Sequence, residues 1–378
     1  MKSVRDIPEL TNIPVLVRAA LNVPIVDGTV ANTFRLRSAL PTIEYLRSRH
    51  ARVILIGHLG ENGTETLAPV CEAMQKFVPR LTFCPVSTGP EARAAVRNMA
   101  AGDVLMLENL RRNKGETAND PAFATSLAEL ADVFVEDAFD VCHREHASVV
   151  GVPELLPSYA GLLVEEEVKH LTKALNPGTP SLAIIGGAKF STKEPVLKRL
   201  LEVYNRVFVG GALANDFMRA SGKGVGKSLL SKDTDEREIR ALLASPRLML
   251  PLDEVTATKG SMRAAGHTVS LDAVPADEMI LDDGPKTVDA LAKLTIGAKT
   301  ILWNGPLGNY ENGFVDATEG LAKAIAQSDA YSILGGGDTV AAVEKLGLSE
   351  KFSFISTGGG AMLDFLATGT LPGLKVLS

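Results

Sequence analysis

Cysteine is scarce: Cys71, Cys84 and Cys142 are the only three in 378 residues. Their odd number and unpaired spacing argue against a disulfide framework or a zinc site, so buried free thiols are expected. No apolar run approaches the length needed to span a bilayer, and Met1-Lys2-Ser3-Val4-Arg5-Asp6 is not a basic segment leading into an apolar one. A soluble, cytoplasmic protein with no membrane attachment is predicted. Excess positive charge is missing too: the formal net charge of −6 argues against a nucleic-acid surface while allowing a local basic cluster for a small anion. A Walker phosphate loop is absent, because Gly226-Lys227-Ser228 has Ser221 where the loop needs its earlier glycine. The glycines are also too scattered for a dinucleotide fingerprint.

What is present suits two domains. The chain is longer than one hydrophobic core usually sustains, and 46% of it is apolar against 22% charged. Short apolar runs at Val15-Leu16-Val17, Val53 to Ile56, Val104 to Leu107 and Val133-Phe134-Val135 each end in Gly, Pro or polar residues, as buried parallel strands do. Helical stretches such as Arg35 to Arg49 and Pro121 to Leu130 lie between them. A second series follows at Leu182 to Ile185, Val207-Phe208-Val209, Thr300 to Trp303 and Ser332-Ile333-Leu334. The segment Tyr159 to Leu175 reads as a helix closed by Asn176-Pro177-Gly178, and the domain junction is placed there. Expected boundaries are 1–160, an interdomain helix 161–175 and 176–365, with a tail of about 366–378 returning to the first domain.

Ligands of such sheets bind beyond the carboxyl ends of the strands. In the second half those positions carry Gly186-Gly187-Ala188-Lys189, Gly210-Gly211, Asn304-Gly305-Pro306, Gly335-Gly336-Gly337-Asp338 and Ser356-Thr357-Gly358-Gly359-Gly360. Glycine lets backbone amides approach a phosphate, and a following helix adds the positive end of its dipole. Lys189 and Lys193 fall on one helical face, suited either to a polyphosphate or to plain solvation. Asp338 suits magnesium on a nucleotide phosphate or a helix N-cap equally. The first half gathers Arg18, Arg35, Arg37, Arg111, Arg112 and Arg144 with His58, His143 and His146, a set suited to carboxylate and phosphate.

The order of these motifs resembles the phosphoglycerate kinase family over nearly the whole chain. It runs through Val17-Arg18, Asn22-Val23-Pro24, His58-Leu59-Gly60, Glu108-Asn109-Leu110-Arg111 and Asp137-Ala138-Phe139 with His143, Arg144 and His146. It continues through Gly186 to Lys189, Trp303 to Pro306, Gly335 to Thr339 and Ser356 to Ala361. The resemblance implies an α/β fold of two Rossmann-like parallel-sheet domains separated by a hinged cleft, and a monomer. It implies that Asn22, Arg35, His58, Arg111 and Arg144 hold a phosphorylated three-carbon acid. Lys189, Lys193, Gly210, Gly211, Pro306, Glu311, Gly336, Gly337, Asp338 and Thr339 would hold ADP or ATP, with Mg²⁺ on Asp338. Arg35, Lys189, Gly359 and Gly360 would act on the transferred group, in line and with no phosphoenzyme.

Six positions depart from the family pattern. Ala20 stands where an aspartate contacts the acid, and Glu61 replaces an arginine. Arg112 replaces an aromatic residue and offers either a partner for Glu61 or a replacement for the positive charge missing there. Asp140, Thr192 and Ala212 are the others. The departures at Ala20 and Glu61 leave two rivals open: a kinase of the same scaffold for a different acid, and a nucleotide-sensing protein whose acid site no longer turns over.

Overall fold

The computed structural model describes residues 1–232 and 235–377. The chain divides into two compact units, one formed by Met1–Lys169 with the tail from Thr370 onward, the other by His170–Gly369. The divide therefore falls inside the helix Leu162–Leu175. The tail is tied to the first unit through Gly373 N, which donates to Cys142 O at 2.8 Å, and Lys2 N, which donates to Leu377 O at 3.2 Å. Ser378, the last residue of the expected tail, lies outside the described residues.

The first unit is built on a six-stranded parallel sheet in the order Leu81–Phe83, Val104–Met106, Arg52–Ile56, Pro14–Ala19, Val133–Asp137, Ser158–Ala160. Alternate side chains of these strands enter two separate cores. Val15, Val17, Val53 and Leu55 fill one, while Leu16, Ile54, Ile56 and Phe134 fill the other. Burial on both faces is what makes the runs read as continuous apolar stretches. The second unit repeats the plan, in the order Leu248–Met249, Arg206–Val209, Ser181–Ile185, Thr300–Asn304, Tyr331–Gly335, Phe354–Ile355, again parallel throughout.

Both sheets reverse their winding beside the first strand of their unit. In the first the reversal lies between Pro14–Ala19 and Val133–Asp137, and in the second between Ser181–Ile185 and Thr300–Asn304. These switch points open a crevice at the strands' carboxyl ends.

One expectation needs correction and one element is new. The helix read from Tyr159 starts only at Leu162, because Tyr159 joins the sheet as an edge-strand residue paired with Val135. A three-stranded antiparallel sheet of Asp253–Ala257, His267–Ser270 and Met279–Asp283 was not foreseen. All three cysteines are buried and free. No helix among the described residues is long and apolar enough to cross a membrane.

The antiparallel sheet carries an unusual pair. Glu254 and Asp283 face each other in register, and both are fully or almost fully buried. Asp283 Oδ1 accepts a hydrogen bond from Gly211 N at 3.1 Å, whereas Asp283 Oδ2 and both Glu254 oxygens have no partner. Burial, and then the neighbouring carboxylates, push both groups well above the ordinary carboxylate range. The folded protein thus keeps protons that the unfolded chain releases above about pH 4, so stability declines as pH rises from there toward the folded-state values. We expect Glu254→Gln, which has no proton to lose, to flatten that decline. In thermal melts from pH 5 to 8 its advantage over wild type should grow with pH, reaching on the order of 1 kcal/mol, or roughly 2–4 °C for a unit of this size. Parallel melting curves for the two proteins would refute the protonated pair.

Candidate active site

At the switch point of the first unit the guanidinium of Arg18 is fully buried. Its Nε donates to Ser148 Oγ, its Nη1 to Ala19 O and its Nη2 to His58 Nδ1, each at 3.0 Å. Because an arginine can only donate, His58 Nδ1 accepts and the neutral ring carries its proton on Nε2. Burial and then the charge of Arg18 hold His58 well below its ordinary range. His146 is pushed down to about 4 by burial and then by Arg111 and Arg18. Positive charge in this cluster therefore comes from arginines, with neutral imidazoles between them.

The other predicted residues of this half are drawn together by the loops after the strands. Asn22 accepts from Arg35 Nη1 through its carbonyl at 2.8 Å, and its Oδ1 accepts from Gly60 N at 3.0 Å. Arg111 Nη1 donates to Gly60 O at 2.7 Å. Arg144 is exposed and adds its charge beside Arg111 and His146. Two arginines leave the cluster: Arg37 lies over the Phe77 ring at 4.9 Å, and Arg112 pairs with Glu108 at 2.9 Å rather than with Glu61. Ala20 is buried in an apolar group with Ala138, Val141, Val149 and Leu163. Asp140, read only as a departure, forms an ion pair with Arg35 at 3.6 Å.

In the second unit four helices begin directly after strands of the parallel sheet: Phe190–Val203, Ala212–Ala220, Gly337–Lys345 and Gly360–Thr368. Lys189, Gly211, Gly336 and Gly359 occupy their N-cap positions. First-turn amides have no intrahelical partner and carry the positive end of the dipole. Only glycine suits two features here. A Cβ on Gly186 would stand 2.2 Å from Pro306 O, so this pair closes the switch point by backbone contact. Gly359 has φ +52° with ψ −114°, which a side chain would strain.

A cavity of about 430 Å³ lies here, lined by Gly211, Pro306, Glu311 and Asp338 of the predicted set. Gly187, Ala188 and Ala212 also line it, as do Leu229, Leu307, Gly308, Asn309, Tyr310 and the strand residues Met279, Ile280, Leu281 and Asp282, which sequence reasoning missed. Gly210, Lys189, Lys193, Gly336, Gly337, Thr339, Gly359 and Gly360 do not line it. Lys193 Nζ donates to Asn304 Oδ1 at 2.8 Å, and burial lowers its pKa to about 8. Lys189 is exposed, and its carbonyl accepts from Thr192 Oγ1 at 3.0 Å. Thr339 is buried, with Oγ1 unpartnered. Ala212 opens its helix after Gly211, at φ +62°.

Asp338 sits in the first turn of its helix while Gly336 is the N-cap, so the capping role is not its own. Among the described residues no three His, Cys, Asp or Glu side chains are grouped to hold a metal by themselves. The exposed Asp338 carboxylate at the cavity edge fits Mg²⁺, which keeps its waters and is commonly held by one or two carboxylates plus substrate phosphates.

With both clusters in view, comparison with known proteins is specific. The family model described as phosphoglycerate kinase matches residues 4–369. The phosphoglycerate kinase of Rubrobacter xylanophilus is 45% identical, over 100% of this chain and 98% of its own, and that of Moorella thermoacetica is 44% identical, over 98% and 97%. Among solved structures, phosphoglycerate kinase from Coxiella burnetii shares 38% identity with a TM-score of 0.84, covering 99% of this chain and 98% of that one. The Pyrococcus horikoshii enzyme gives 29% and 0.90, covering 100% and 98%. A match that spans both units from end to end places this chain in the phosphoglycerate kinase family.

Proposed function

We propose that this protein catalyses reversible phosphoryl transfer between 1,3-bisphosphoglycerate and MgADP, giving 3-phosphoglycerate and MgATP. The first unit takes the acid and the second the nucleotide, in a soluble cytoplasmic enzyme that works as a monomer. One observation carries the reading. An arginine cluster with neutral histidines marks one switch point, and a cavity beside helix N-termini marks the other, which matches a small acid bearing carboxylate and phosphate on one side and a polyphosphate on the other.

Asn22, His58, Arg111 and Arg144 hold the acid, and Arg35 meets the transferred phosphoryl group from that side. Lys189 meets it from the nucleotide side. Gly359 and Gly360 offer backbone amides to its oxygens. Lys193 neutralises nucleotide phosphate and Glu311 takes the ribose. Gly211 and Pro306 wall the pocket, with Gly210 behind them in the same turn as Gly211, and Gly336, Gly337 and Thr339 support the turn that presents Asp338. Bound Mg²⁺ supplies charge neutralisation on the phosphates, and Asp338 holds it there. The acyl phosphate is already activated, so positioning and charge stabilisation suffice and no enzyme nucleophile is needed.

Purified protein given 1,3-bisphosphoglycerate and MgADP should form ATP, and Lys189→Ala and Arg35→Ala should each lower kcat by roughly 10²–10³-fold. Folded wild-type protein that binds MgADP but forms no ATP would remove the assignment.

Lys193 gives a second test. Bound phosphate favours its protonated form, so MgADP affinity should stay level below about pH 7 and weaken as pH rises through about 8, the value for the free protein. Lys193→Arg should bind across that range without the break. A break unchanged in Lys193→Arg would assign it to another group.

A further inference from the structure

We infer that Asp140 is a specificity-determining residue of the acid site, accepting a hydrogen bond from the hydroxyl of the three-carbon acid. The inference rests on the proposed function and extends it to one group of the substrate. Asp140 lies just past the strand Val133–Asp137, at the switch point of the first unit. Its Oδ2 stands 3.6 Å from Arg35 Nη1, close enough for charge attraction but beyond a good hydrogen bond. Its side chain is only 6% exposed, and Oδ1 is buried with no hydrogen-bond partner. A carboxylate oxygen left bare beside an arginine is a costly arrangement unless a donor arrives.

The chemistry around it says which donor. Arg18, Arg35, Arg111 and Arg144 offer only N–H groups, which suit the substrate's carboxylate and phosphate but cannot accept from its hydroxyl. Glu136 Oε2, Asp137 Oδ2 and His146 Nδ1 also lack hydrogen-bond partners, but Glu136 and Asp137 have no exposed surface at all and His146 Nδ1 faces Glu116 Oε1 at 3.8 Å; the other acceptors are committed or exposed. Both oxygens of Glu116 are taken by Ser148, through its N–H and its hydroxyl. Glu136 is wholly buried, accepts from Ala138 N and is pushed well above the ordinary range by that burial. Glu61 is exposed, and Ala20, packed with Val141 next to Asp140, brings no polar atom. Asp140 would repel the substrate's anionic groups, so its bare oxygen selects for the neutral hydroxyl.

The test compares binding of 3-phosphoglycerate and of 3-phosphopropionate, which lacks the hydroxyl, by titration calorimetry. Wild type should prefer the hydroxylated ligand by about 10- to 100-fold, as expected for a hydrogen bond to a charged group. Asp140→Ala should erase that preference by weakening 3-phosphoglycerate alone. Asp140→Asn keeps an acceptor oxygen and should retain most of the preference, although its ion pair with Arg35 is lost. Equal weakening of both ligands in Asp140→Ala, or no change in either, overturns the inference. So does an Asn variant that loses the preference as fully as Ala, since Asp140 would then act only by placing Arg35. Wild type that forms no ATP fails the parent reading as well, whereas active wild type with unchanged discrimination in Asp140→Ala fails this one alone.

Discussion

A parallel sheet covered on both faces leaves its strands almost nowhere to place polar groups except their ends. In each unit the central strands are buried along their length, and in the first their side chains alternate between two apolar cores. Polar chemistry is confined to the loops after the strands, and winding reversal opens one crevice per sheet. Both candidate clusters sit at such a reversal. The backbone contact of Gly186 with Pro306 and the loops beyond Ala19 and Asp137 are two solutions of one geometric constraint.

Within that constraint the two units solve different electrostatic problems. The first buries a permanent charge. Arg18 is satisfied by a hydroxyl, a carbonyl and an imidazole rather than by a close carboxylate partner, and its field is felt by His58, His146 and Arg111. A cationic cluster whose nearby carboxylates are mostly committed or protonated is primed for an anion. The second unit instead relies on helix termini and one half-buried lysine. Desolvation brings Lys193 to about 8, still mostly protonated at neutral pH, while Asn304 fixes its direction.

The central parallel strands were legible because burial on both sides writes itself as short, unbroken apolar runs, whereas the short edge strands Leu81–Phe83, Ser158–Ala160 and Leu248–Met249 were not. The residues after the central strands were legible for the same reason, since polar and glycine-rich segments stand out against such runs. The antiparallel sheet was not, because its strands are polar: Asp253, Glu254, Asp282 and Asp283 belong to it and leave no unbroken apolar run. That sheet supplies Met279, Ile280 and Leu281 to the cavity wall, so the apolar part of the site was the part missed. The partners of Arg37 and Arg112 were equally out of reach, since Phe77 comes from a distant segment and Glu108 competes with Glu61 for Arg112 on equal chemical terms.

The departures from the family pattern also differ in physical weight. Glu61 reverses a charge, yet it is exposed, where water screens it. Thr192 turns its hydroxyl back to Lys189 O, a local bond that leaves the lysine's ammonium free of it. Ala20 and Asp140 are different, because both lie at the switch point and away from solvent, where dielectric screening is weak. One contributes a methyl to an apolar group and the other a carboxylate beside Arg35. Burial rather than chemical dissimilarity therefore ranks these substitutions, and it concentrates their effect on the acid site while the turns of the nucleotide unit keep their backbone form.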